Sequence, residues 1–133
     1  MKSKYFFLVT LLAAVVLTMS FRLNDQDPKP WPVPDNYKTM KNPVTFNKTA
    51  AATLYSTHCK SCHGKEGLGD GPKAAQLKTP CGDFSTDEFH KQSDGSLFYK
   101  ISEGRDDMPS FKKKIPDQDD IWQLVSYIRT MAE

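Results

Sequence analysis

The sequence predicts an all-α domain behind an export segment, and three observations carry that expectation. Three stretches show helix caps or apolar residues at helical spacing, and none alternates like a strand. A Cys-x-x-Cys-His motif, Cys59-Lys60-Ser61-Cys62-His63, comes directly after the first of them. Prolines crowd residues 22–46, setting that part apart from the remainder of the chain.

The first helix begins at Asn47, a suitable N-cap, and runs through Lys48-Thr49-Ala50-Ala51-Ala52-Thr53-Leu54-Tyr55-Ser56-Thr57 into the motif. The second spans Asp94 to Ser102, with Leu97, Phe98 and Ile101 on one face and Gly104 just past its end. The last is capped by Asp117. Asp119 and Asp120 favour its first turn, Arg129 its end, and Ile121, Leu124, Val125 and Ile128 form a buried stripe.

Ahead of these, Lys2 and Lys4 precede an apolar run from Tyr5 to Met19, the pattern of a secretory signal. Thr18-Met19-Ser20 is a mediocre cleavage site, and the run is short beside the roughly 20 residues of a comfortable membrane span. Cleavage frees the domain on the periplasmic side; retention anchors it there, and the weak cleavage site favours retention. No cysteine comes directly after the run, which excludes a lipoprotein anchor. Residues 22–46, with Pro28, Pro30, Pro32, Pro34 and Pro43, read as an extended arm or linker that excludes regular helix. The organisation is therefore signal or anchor over 1–21, arm over 22–46 and domain over 47–133.

The formal charge of +2 resides in Lys2 and Lys4, since 18 basic side chains face 16 acidic ones. A neutral domain gives no support for nucleic-acid binding, which needs a clustered basic surface. Two Trp, five Tyr and eight Phe suffice to build a small core around a large flat ligand. Without one, about 85 residues make a modest core.

Cys59 and Cys62, three positions apart on a helical turn, suit addition to the two vinyl groups of one porphyrin, with the imidazole of His63 facing the iron. A redox-active dithiol lacks its strand-to-helix context, and a zinc site lacks its second ligand pair. The glycine-rich run from Gly64 to Pro72 lacks the Lys-Ser or Lys-Thr of a phosphate loop. Its glycines suit tight backbone turns beside a porphyrin edge.

Residues 47–131 resemble the cytochrome c family. Tyr55 four residues before the first thiol, the Cys59-Cys62-His63 motif, the glycine-rich loop ending in Pro72, Met108-Pro109, and a final helix with Leu124 and Tyr127 occur in the family order. The resemblance implies an all-α cytochrome c fold around one covalent haem c, its first and last helices crossing beside the haem. Ala51 stands where many members carry glycine, which widens that crossing slightly. The resemblance further implies that the Pro72 carbonyl accepts a hydrogen bond from His63 Nδ1.

Candidates for the second axial ligand are Met108, Met40, Met131, His58 and His90. Met108 is preferred because it precedes proline in a segment without periodicity, where an extended loop presents sulfur to iron, and its loop matches the family. His90 is the runner-up, otherwise an exposed loop residue. Trp122, Tyr127 and Phe111 are read as packing residues. Cys81 reads as a small buried residue, against the alternatives of an intermolecular disulfide or a reactive thiol. Lys112-Lys113-Lys114 marks a candidate docking patch, against the reading of a merely solvated run.

Closed His/Met ligation leaves electron transfer rather than substrate chemistry, with redox-partner proteins such as a respiratory complex, oxidase or reductase. The arm and Lys41-Asn42-Pro43-Val44 are also similar to monohaem subunits of bacterial respiratory complexes. The alternative is a haem enzyme or ligand sensor with an open or labile sixth position.

Overall fold

The computed structural model describes residues 30–132, so the segment expected to act as signal or anchor lies outside the described residues. Contacts divide the chain into Met1–Pro32 and Val33–Glu133, and the helices of the described residues belong to the second unit. Six α-helices appear among the described residues: α1 Asp35–Lys38, α2 Lys48–His58, α3 Lys60–His63, α4 Asp87–His90, α5 Asp94–Glu103 and α6 Gln118–Arg129. Short 3-10 turns lie at Ala74–Gln76 and Thr130–Ala132. The same residues contain no strand, only an isolated bridge between Arg105 and Met108. The all-α class is what the periodicity requires.

Caps fix where the longer helices begin. Asn47 accepts from the Ala50 amide at the start of α2, Ser93 from Ser96 at α5, and Asp117 from Asp119 at α6. Each satisfies an amide that the first helical turn leaves without an intrahelical partner. Helix α5 ends at Gly104 and α6 carries Arg129 in its last turn. There Arg129 pairs with Asp94 at 2.9 Å and lies over the Phe89 ring, tying the end of α6 to the α4–α5 turn.

The dominant packing is α2 against α6, with α5 against both α6 and α1. Ala51 and Tyr55, four residues apart on one face of α2, are buried. On α6 the stripe of Ile121, Leu124, Val125 and Ile128 is buried as its spacing requires, and Trp122 joins it to stack on Phe98 of α5 at 4.2 Å. Tyr55 and Tyr127 meet across the α2–α6 seam at 5.3 Å. Full burial of each large aliphatic side chain contributes about 1.5–3 kcal/mol, so this seam is the main source of cohesion.

The compact unit begins at Val33 and not at Asn47, so the second half of the expected arm belongs to the fold. It also contains a helical turn, contrary to the expectation that its prolines exclude one. Pro34 precedes the first turn of α1, where a missing amide hydrogen is harmless. Tyr37 of α1 rests on Tyr99 at 4.8 Å and on Phe98 at 6.4 Å. Asn42 then donates to the Trp122 carbonyl and to Ser126 Oγ while accepting from the Val44 amide. Gln123 clamps the next residues by accepting from the Asn47 amide and donating to the Thr45 carbonyl. Residues 37–47 are thus strapped across α5 and α6.

The strap passes closest at Gly95, where a Cβ would lie 1.9 Å from the Tyr37 carbonyl oxygen. Gly95→Ala is therefore expected to push the strap away and destabilise the protein by about 1–3 kcal/mol. Chemical denaturation of the holoprotein checks this; an unchanged midpoint would contradict the contact.

Candidate haem site

Helix α2 delivers the chain directly into the motif. Cys59 closes α2 with its amide on the Tyr55 carbonyl, and its own carbonyl accepts from Cys62 and His63 at 3.1 and 3.0 Å. Both thiols therefore sit on one turn with the imidazole beside them. Four residues make a helix too short to stand alone, and its last carbonyls need partners.

The glycine-rich loop supplies them. Lys73, Gly71 and Gly69 donate their amides to the carbonyls of Ser61, Cys62 and His63, at 2.9, 3.1 and 2.9 Å. The Tyr55 hydroxyl donates to the Gly64 carbonyl at 2.8 Å, a buried bond that ties the end of α3 to α2. Gly71 passes so near that a Cβ would lie 2.6 Å from the Cys62 carbonyl, which only glycine permits. These glycines cap a helical turn and cradle no phosphate.

His63 is half-buried, and its ring stacks on Phe84 at 4.7 Å, which in turn stacks on Phe89 at 4.7 Å. Burial holds its pKa below the ordinary imidazole value, with the Cys81 backbone opposing that shift. The ring is therefore neutral and able to ligate a metal at physiological pH. Its Nδ1 is enclosed without a hydrogen-bond partner, so the expected bond to Pro72 is not made. The amides on either side of Pro72, those of Gly71 and Lys73, are bound to the backbone of α3.

Burial pushes the Cys59 thiol up to about 12, reinforced by neighbouring Cys62. An attacking thiol needs the opposite shift. Among the described residues no group of three or more His, Cys, Asp or Glu gathers as a metal cage, so a zinc half-site finds no partners there. Two thiols on one turn, a neutral imidazole with an orphan nitrogen, and an aromatic wall fit covalent haem attachment.

Met108 is half-buried against the core cluster that Cys59 and Phe84 also touch. Its segment is not the extended loop expected. Residues 105–108 form a tight turn closed by two backbone bonds between Arg105 and Met108, at 2.8 and 2.9 Å, with Asp106 at φ 53°. Asp has a short polar side chain that tolerates this left-handed conformation.

The family model described as cytochrome C oxidase, cbb3-type, subunit III matches residues 46–128. The chain belongs to this family of c-type cytochromes. Membership carries with it a covalently bound haem c and haem-based electron transfer. Among solved structures, the KustC0563 c-type cytochrome is 29% identical with a TM-score of 0.55, over 62% of this chain and 98% of that one. A chain of the Kuenenia stuttgartiensis reducing HAO-like protein complex Kustc0457/Kustc0458 is 25% identical with a TM-score of 0.59, over 79% of this cytochrome. The cytochrome spans about half of that chain, 53% of its length. No curated protein matches the sequence.

The other candidate ligands of the cytochrome are engaged elsewhere or exposed. His58 lies edge-on to Phe111 at 5.9 Å, and Met131 packs beside Gly67 on the core cluster. Met40 is exposed next to Gly95. His90 is exposed as expected, although it ends the short helix α4 and is not in a loop. Trp122 and Phe111 are buried and Tyr127 half-buried, as packing residues should be.

Cys81 is only half-buried, because the segment around it has no regular structure and runs beside an open depression lined also by Leu68, Leu77 and Pro80. Burial still raises its thiol pKa, so it is not an activated nucleophile. In the lysine run, Lys112 is paired with Glu103 and Lys114 lies over the Phe111 ring at 5.5 Å, so two of its three members are engaged locally. Phe84, in contact with the His63 ring, is the site residue that sequence reasoning missed. Its signal was a lone aromatic in a segment without periodicity, between Cys81 and α4.

Proposed function

We propose that this cytochrome is a one-haem electron carrier, with no substrate chemistry, in which Cys59 and Cys62 hold the haem and His63 and Met108 are its axial ligands. The observation that carries the reading is the enclosed imidazole of His63, its Nδ1 without a partner, on the same turn as two unpaired thiols. When bound, the haem supplies a ferric/ferrous couple, and ligation by one nitrogen and one sulfur leaves the iron no open position. The chain's part is to bury the group, hold its ligands and exclude water.

Tyr55 and the loop amides keep the attachment turn rigid, while Phe84 fixes the plane of the imidazole. The closed turn of residues 105–108, held by the paired Arg105–Met108 backbone bonds, supports Met108 as the second ligand. Partners are redox proteins. The likeness to a chain from a reducing HAO-like protein complex supports a place beside such a partner.

Attachment through two thioethers requires the haem to stay with the polypeptide after denaturation and acid-solvent extraction. Cys59→Ala with Cys62→Ala should abolish that retention and leave little folded product, because haem burial completes the core. Haem extracted freely from the wild type would refute covalent attachment.

Met108→Ala is expected to retain covalent haem but to lose the sulfur-to-iron charge-transfer band of the oxidised protein. It should also bind carbon monoxide when reduced and show a lowered potential. An unchanged spectrum in Met108→Ala, with a changed one in His90→Ala or Met40→Ala, would reassign the ligand.

The charged-then-apolar amino terminus supports export to the periplasmic side, with residues 1–21 as signal or anchor. Among the described residues no helix is long and apolar enough to cross a membrane, so anchoring rests on residues 1–21. Alkaline-carbonate washing of membranes should leave the full-length chain bound, and release of a shortened chain would overturn permanent anchoring.

A further inference from the structure

One exposed carboxylate joins two parts of the site that are distant in sequence. Asp107 lies in the turn of residues 105–108, beside Met108. Its Oδ2 accepts from the backbone amides of both Lys78 and Thr79, each at 2.8 Å. The turn is closed by the paired Arg105–Met108 bonds, so a force on Asp107 is carried to the Met108 backbone as to one small rigid piece. On the far side, the same segment runs on to Phe84, whose ring stacks on His63 at 4.7 Å. The carboxylate therefore connects the Met108 turn to the segment that touches the imidazole.

We propose that Asp107 is a positioning residue, a latch between the Met108 turn and the Lys78–Thr79 backbone that keeps the thioether in place and keeps external ligands out. The proposal rests on Met108 being an axial ligand. A carboxylate accepting two amides on one oxygen makes stronger bonds than a neutral acceptor, and both amides belong to one short segment, so their loss frees the two sides together. Because the latch is exposed, water replaces it when it is removed. Its loss should thus change how often the turn opens far more than whether the domain folds. Neighbouring Asp106 serves as the contrast: its carboxylate lies 3.3 Å from the Arg105 guanidinium within the same turn and bridges to no other segment in this way.

The test compares holoprotein carrying Asp107→Ala, Asp107→Asn or Asp106→Asn with the wild type. Imidazole binding to the oxidised form and hydrogen exchange at the Lys78 and Thr79 amides are measured in each. Asp107→Ala should bind imidazole about tenfold faster and lose about tenfold in protection at both amides. Asp107→Asn keeps a carbonyl oxygen that accepts from both amides and should recover most of each effect, while Asp106→Asn, which tolerates the left-handed backbone, should match the wild type. Asp107→Ala indistinguishable from the wild type in both readouts would overturn the latch, as would an equal effect from Asp106→Asn, which would mean that charge alone matters. A wild type without the sulfur-to-iron band would instead remove the Met108 ligation on which the proposal rests, and the two failures are told apart by that band.

Discussion

The packing of α2 against α6 is the constraint on which the rest of the site depends. Helix α2 has only 11 residues and leads at once into the attachment turn, so whatever fixes α2 also fixes Cys59, Cys62 and His63. A helix that short does not hold itself in water. What holds it is the buried face of Ala51 and Tyr55 against the apolar stripe of α6, with Tyr127 closing the seam. Ala51 is completely enclosed there, so a residue larger than the family's usual glycine is accommodated in this crossing.

Tyr55 converts that packing into local order. Its ring belongs to the seam, and its hydroxyl reaches the Gly64 carbonyl at the far end of the attachment turn. Burial pushes the pKa of the phenol up, which keeps it protonated and able to donate. The glycine-rich loop then satisfies the three preceding carbonyls. The turn is thereby held by backbone and core alone, leaving its thiols and imidazole free for the haem. A site of this kind suits outer-sphere electron transfer, which gains from a group that moves little between oxidation states.

The parts of this architecture legible in the sequence were those set by local rules. Caps at Asn47 and Asp117, the glycine after α5, and the stripe of Ile121, Leu124, Val125 and Ile128 depend on residues within a few positions of one another. The motif Cys59 to His63 was legible for the same reason. The features missed depend on distant pairs. The clamp of Asn42 on Trp122 and Ser126 spans some 80 residues, and no cap or periodicity around Asn42 announces it. The turn of residues 105–108 was read as extended because Met108 precedes a proline. Its closure depends on a left-handed aspartate, which sequence alone rarely reveals. Phe84 is held near His63 by its amide on the Gly67 carbonyl, a contact between two loops with no periodicity to announce it.

Whether the iron is closed on both sides decides between a carrier and a haem enzyme or sensor. X-ray absorption at the iron edge of the holoprotein, in both oxidation states, reads the coordinating atoms without perturbing the Met108 turn. The account predicts one sulfur scatterer alongside the nitrogens in the ferric and the ferrous protein alike. A shell of nitrogen and oxygen alone in either state would contradict it.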